Sequence, residues 1–265
     1  MTVARTLSGN FPDTSEKTLS ERAFNVLRHD ILSGRLRPAV RLKLADLQKH
    51  YGIGISPIRE SLMRLEGDGL VVSEGQKGFA VAPVSVNELE DLTQTRQKLE
   101  SIMLADSIRH GTPDWEAAII AAFHRLSRTR LPSDTNDEDA TNAWEERHRD
   151  FHHALVSACG SAWLMRFHSQ LVDHSERYRR VRMFHSIPLE QQARNIDLEH
   201  RLIMDAALSR DTERAAQLLR DHVQRTADIA VAHWTNAERA SAAVPAPQPA
   251  RTLFPDAESG ENLAE

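Results

Sequence analysis

The sequence predicts a mainly α protein, an N-terminal winged helix-turn-helix followed by an antiparallel all-α bundle of about six helices. Three observations predict it. Two short apolar series at helical spacing, Leu44, Leu47, Tyr51 and then Ile58, Leu62, Leu65, are separated by a tight turn that opens at Gly52. After Gly69 come two β-prone runs, residues 70–72 and 79–81, joined by Glu74-Gly75-Gln76-Lys77-Gly78, which reads as a hairpin and hence a wing. From Ser85 onward, amphipathic helical segments follow one another with few strand signals.

In chain order, residues 1–17 are polar and aperiodic and are expected to be disordered. Thr18 and Glu21 stand at capping-box spacing and open a helix whose core stripe is Ala23, Phe24, Leu27 and Ile31, ending at Gly34. Residues 35–41 read as a short basic extended link broken by Pro38. In the second helix of the pair, Ser56 is expected to cap the orphan amides and Pro57 to take the first position. Its opening turn then presents Ser56, Arg59 and, one turn on, Met63 away from the core, on the side that enters a major groove.

Pro83 stops the wing, and Ser85 with Glu88 opens a long helix to about His110. Further helices are expected over 114–130, 140–159 and 162–185, then from Pro188 to about Ser209, and from a Thr212 cap to about Arg239. The tail from Ala240, rich in Ala, Pro and Glu, is expected to be disordered. The chain thus divides into a reading domain over 18–83 and a helical domain over 84–239, with 1–17 and 240–265 as unstructured ends.

A length of 265 residues suits two such domains, each able to bury a core. The net charge of -5 is unevenly spread: residues 1–83 hold 12 Lys and Arg against 9 Asp and Glu, and the remainder 21 against 29. A basic module on an acidic body suits a DNA reader attached to something with another task. Cys159 is the only cysteine, so no intrachain disulfide forms, and it reads as a small core residue. No signal-peptide pattern and no apolar run of membrane-spanning length occurs, so the chain is read as cytoplasmic, with no membrane partner.

The reading domain resembles the N-terminal domain of the GntR family of bacterial transcription regulators. The residues that carry the resemblance are the lead-in from Gly34 to Leu42, the Pro-Ile-Arg-Glu-Ser-Leu run at 57–62, and the wing tip Lys77-Gly78. The resemblance implies a double-stranded DNA operator and places Arg41, Arg59, Arg64 and Gly78, with Ser56 and Lys77 beside them, where the family holds DNA. Many members carry Ser-Arg just before the recognition helix, and this chain has Gly54-Ile55 instead, so a contact made by that arginine does not carry over. The helical half is similar to the FCD-type ligand-sensing domain of the fatty-acid-regulator-like branch, through residues 96–100, 151–155 and 199–203 and through His222 in AAQLLRDHV. The stretch ACGSAWLMRFHSQLVDHSERYRR looks like the carbon-starvation-repressor group of that branch.

Among 13 histidines, four stand on core stripes. His148 and His152 share a face with Leu155 and Cys159, His200 lies on the stripe of Ile196 and Ile203, and His222 on that of Leu218 and Ile229. A lone imidazole at such a position reads as a hydrogen-bonded core residue, but four on inward faces of three helices can converge on a metal. With no thiolate partner, zinc is the first candidate, and nickel, manganese or iron remain open. In the family, three histidines and an acidic residue bind a divalent metal. The resemblance puts His152, His200 and His222 in the histidine positions and His148 in the acidic one. His153, His168, His174 and His185 are expected on partly exposed faces.

By resemblance, Arg96 faces the cavity and would clamp a small carboxylate effector. On spacing alone it serves equally for a surface salt bridge with Glu100. Arg177, Tyr178 and Arg179 read equally as pocket lining or as a dimer face. The leading function is a homodimeric regulator, with repression the more common sign by resemblance, whose bundle binds a metal and an organic acid. The alternatives are a helical metal-dependent hydrolase using Glu199 or Asp150 as general base, and a sensor for which the metal itself is the signal.

Overall fold

The computed structural model describes residues 18–73, 75, 78–131, 137–183 and 194–242. Thr18 Oγ1 accepts a hydrogen bond from the Glu21 amide at 3.2 Å and starts α1 (Leu19–Leu32), which buries Ala23, Leu27 and Ile31. Gly34, at φ 80°, reverses the chain after it. Helix α2 (Leu44–Tyr51) ends at Gly52 in the left-handed conformation, and α3 (Ile55–Gly67) follows with Ile58, Leu62 and Leu65 facing inward. These helices enclose one apolar core with Leu36, Leu42, Leu70 and Val81.

Three local expectations change. Gly54 is the N-cap of α3, without a side-chain cap bond, so Ser56 is not the cap and Pro57 is the third helical residue. Proline is tolerated there because amides of the first turn have no intrahelical partner. Arg41 and Leu42 form an edge strand, β1 (Arg41–Leu42), rather than ending a free link. β1 and the wing strands β2 (Val71–Ser73) and β3 (Phe79–Val81) make an antiparallel sheet of order β1-β3-β2, in which Leu42 pairs with Phe79 and Val72 with Ala80. Gly75 and Gly78 adopt positive φ in the wing, and Lys77 lies outside the described residues.

Ser85 caps α4 (Val86–His110) by accepting from the Glu88 amide, and α5 (Pro113–Arg128) starts at a Thr112 cap. Helices α6 (Glu138–Val156), α7 (Ala162–Met183), α8 (Ile196–Leu208) and α9 (Thr212–Ala242) complete six helices after the wing among the described residues. Asn195 caps α8, and Pro188, expected to open it, lies outside the described residues with the ends 1–17 and 243–265. The α9 cap is Asp211, whose Oδ1 accepts from the Arg214 amide at 3.1 Å, so Thr212 is already helical.

In the bundle, α4 lies along α9 and α7, α5 packs on α6 and α8, and α8 on α9. A core of Met103, Ile119, Phe123, Phe151, Leu155, Ile203 and Leu219 fills the interior, and Cys159 is part of it. No helix among the described residues is long and apolar enough to cross a membrane.

Candidate metal centre and DNA-reading face

On α3 the exposed side carries Ser56, Arg59 and Met63, at helical spacing. Arg64 is exposed too, but five residues from Arg59 it is turned about 140° round the helix. Its guanidinium stacks 4.1 Å above the Phe24 ring of α1. Arg41 and Gly78 are exposed at the sheet edge and the wing. Glu60, also on α3, accepts from Ser20 Oγ at 2.6 Å, tying the reading helix to the start of α1.

Inside the bundle, α6 carries His148 and His152 one turn apart, α8 carries His200 and α9 carries His222. The four imidazoles are buried, and each offers a nitrogen within 4.8 Å of the others. His148 Nε2 and His152 Nε2 stand 3.1 Å apart. Two nitrogens at about 2.0–2.1 Å from one tetrahedral ion lie about 3.3 Å apart, so this spacing is close to that of a shared metal. Trp144 stacks on His148 at 4.7 Å between centroids, and Phe151 packs edge-on against His152 and His200, which holds the rings in place.

His200 is completely buried, yet neither of its ring nitrogens has a hydrogen-bond partner. Leaving such a group unpaired costs about 1–3 kcal/mol, so the site calls for an external partner at that ring. Burial, then the neighbouring imidazoles, hold His148, His152 and His222 well below the usual histidine value. For His200 burial and then Arg194 lower it to about 3. Four neutral imidazoles are the state in which these side chains are metal donors. The donor set therefore fits a divalent ion.

Arg96 of α4 is buried, and its Nε and Nη2 lie 2.9 and 2.8 Å from Glu100 Oε1. The pairing expected at the surface thus exists, but inside the bundle. Burial alone would raise the Glu100 carboxyl, and Arg96 followed by His168 outweigh it and hold it well below the ordinary carboxylate range. Glu100 Oε2 has no partner. His168, expected on a partly exposed face, is buried with its Nε2 3.4 Å from Glu100 Oε1. It faces the α4 carboxylate there, without a hydrogen bond from Nε2. His153 is exposed, His174 half-buried, and His185 lies outside the described residues.

The run 177–179 is divided between the bundle interior and the junction with the reading domain. Arg179 pairs with Glu145 of α6 at 2.8 Å within the bundle. Tyr178 Oη donates to Glu88 at 2.6 Å and accepts from the Ser85 amide, and Arg177 donates to the Ala82 carbonyl, both at the junction with the reading domain.

Two family models match the chain: "Bacterial regulatory proteins, gntR family" over residues 19–81 and "FCD domain" over residues 91–225. The chain is 39% identical over 218 residues to the uncharacterized HTH-type transcriptional regulator BphR of Paraburkholderia xenovorans (strain LB400), covering 82% of this chain and 87% of that one. It is 33% identical over 197 residues to the HTH-type transcriptional repressor GlaR of Escherichia coli (strain K12), covering 74% and 89%. The solved structure of E. coli McbR/YncC superposes with a TM-score of 0.67 at 21% identity, over 83% of this chain and 100% of that one, a likeness of fold alone.

Proposed function

This chain belongs to the GntR family of DNA-binding transcription regulators and carries an FCD domain, and on that premise we propose a metal-dependent effector switch. Its bundle core holds one divalent metal, zinc first among the candidates, through His148, His152, His200 and His222. A small organic acid binding beside it alters operator affinity. The observation that carries the reading is the convergence of four buried imidazoles around a His200 ring whose two nitrogens have no protein partner. Bound there, a divalent ion supplies a Lewis-acidic centre that takes a carboxylate oxygen.

The DNA contacts are Ser56, Arg59, Arg64, Arg41 and Gly78 among the described residues, and Lys77, outside them, joins the set on the sequence alone. Repression is the sign, in keeping with the printed name of GlaR. The working form is a homodimer, because a two-fold operator is matched by a two-fold protein. Arg96 is the anchor for the acid. To accept a carboxylate it must share or exchange its bond to Glu100, which costs part of the gain.

The hydrolase alternative falls away. The relatives are transcription regulators, and Asp150 is half-buried and paired with Arg147 at 3.3 Å. The test is metal analysis of the purified full chain, beside a His200→Ala variant and a thermal-shift screen of organic acids. About one zinc per chain, lost in His200→Ala, is the expected result, and an equal metal content in both proteins overturns the site. Operator affinity that follows metal concentration with no acid present would make the metal itself the signal.

A further inference from the structure

Glu199 stands in the first turn of α8, one residue before His200, and its Oε2 lies 2.9 Å from His222 Nδ1 on α9. A carboxylate only accepts, so this contact places the imidazole proton on Nδ1 and leaves Nε2 with its lone pair. Arg194 Nη2 is 3.2 Å from the same Nδ1, but two donors do not bond. The Arg194 bonds run instead to Glu199, Nε to Oε1 at 3.0 Å and Nη2 to Oε2 at 2.7 Å. Arg225 Nε adds a third contact to Oε1 at 3.2 Å.

Glu199 is therefore gripped by two guanidinium groups while it grips the imidazole. Arg194 Nη2 also reaches the His222 carbonyl at 3.2 Å and Thr226 Oγ1 at 3.1 Å, which joins the start of α8 to the backbone of α9. A carboxylate that receives the far N–H of a ligating imidazole fixes its tautomer and ring orientation and raises its basicity. The need is greater in this chain, where four neutral imidazoles bring no charge to offset that of an ion.

We propose that Glu199 is a positioning residue of the metal centre, holding His222 with Nε2 toward the other three imidazoles, and that Arg194 and Arg225 hold Glu199 in turn. The inference rests on the metal reading above. Its test is competition for zinc between a chelating dye and the full-length protein, together with the visible absorption spectrum of the cobalt(II)-substituted form. Glu199→Ala is expected to bind zinc 10–100-fold more weakly and to show an altered cobalt spectrum. Glu199→Gln is isosteric, keeps an acceptor for Nδ1–H and loses the charge that binds both arginines. It is expected to fall between wild type and Glu199→Ala, and it decides the matter should the alanine variant fail to fold. Zinc affinity and cobalt spectrum in Glu199→Gln and Glu199→Ala indistinguishable from wild type overturn this inference and leave the histidine site standing. A wild-type protein that binds neither ion overturns both.

Discussion

A methyl group on Gly111 would lie 2.7 Å from the Ser107 carbonyl oxygen and overlap the Trp115 ring. The backbone there is ordinary, at φ -61°, so the demand for glycine is one of space. Trp115 cannot simply retreat, because its Nε1 donates to the Ala154 carbonyl at 3.0 Å and its ring is part of the bundle core. Gly111→Ala is expected to destabilise by about 1–3 kcal/mol, the usual cost of overpacking, read as a lower urea midpoint at constant slope. Ala39 is the converse case, an alanine held at φ 62°. A left-handed alanine costs roughly 1–2 kcal/mol, and glycine there frees the unfolded chain by about 0.4–1 kcal/mol, so Ala39→Gly should be neutral to mildly stabilising by the same measurement. At the reading face, Arg59→Ala is expected to weaken operator binding at every salt concentration and, if its contact is to phosphate, to lower the salt slope by about one. Arg64→Ala should weaken it less, since its guanidinium is stacked on Phe24 and only part of it is left for DNA; equal losses would show that the stack does not limit its contact.

Helix α7 meets both halves of the molecule. His168 approaches Glu100 in the bundle, while further along the helix Asp173 pairs with Arg28 of α1 and His174 Nε2 lies 2.9 Å from the Asp68 carbonyl at the end of α3. Arg177 is the costly member, fully buried, bonded only to the Ala82 carbonyl and with Nε and Nη1 unpaired. Replacing an ill-satisfied buried charge by an apolar side chain of similar length is often neutral or favourable. Arg177→Met should therefore leave the unfolding free energy within about 1 kcal/mol while speeding limited proteolysis at residues 83–85, where the tether is lost. A loss of 3 kcal/mol or more would instead mark Arg177 as a satisfied core cation. Such contacts explain what was legible in the sequence. The caps at Thr18 and Ser85, the apolar stripes and the four inward imidazoles are encoded within a turn or two of helix. The burial of His168 comes with a neighbour 68 positions away, Glu100, and no local pattern reveals such packing. A two-residue strand such as β1 is too short to show alternation, and the start of α3 slipped because Gly54 is itself an acceptable N-cap, leaving Ser56 no distinguishing task. The missing acidic ligand at His148 was visible, but the carboxylate that touches the set instead, Glu199, approaches from another helix.

At the scale of the whole molecule, the two larger apolar cores among the described residues are built differently, and pH should separate them. The reading-domain core is aliphatic, whereas the bundle encloses four imidazoles that burial holds neutral. Unfolded, these side chains titrate near 6.5, and folded they titrate far lower, so below that value the unfolded chain binds more protons. Their contribution to stability is complete above about pH 6.5 and declines as pH falls toward the folded values. Each imidazole accounts for up to about 1.4 kcal/mol per pH unit, a sizeable share of the total of about 5–15 kcal/mol for a domain. Glu100, held low by Arg96, acts in the same direction only below the ordinary carboxylate range, outside this window. The metal-free bundle is therefore expected to lose melting temperature progressively as pH falls below about 6.5. Zinc at a hundred times its dissociation constant should add about 2.7 kcal/mol and carry the acid transition to lower pH. Melting followed from pH 8 to pH 4.5, with and without zinc, checks both statements, and a melting temperature that stays level from pH 7 to pH 5 in the metal-free protein would mean that the four rings are not held buried and neutral.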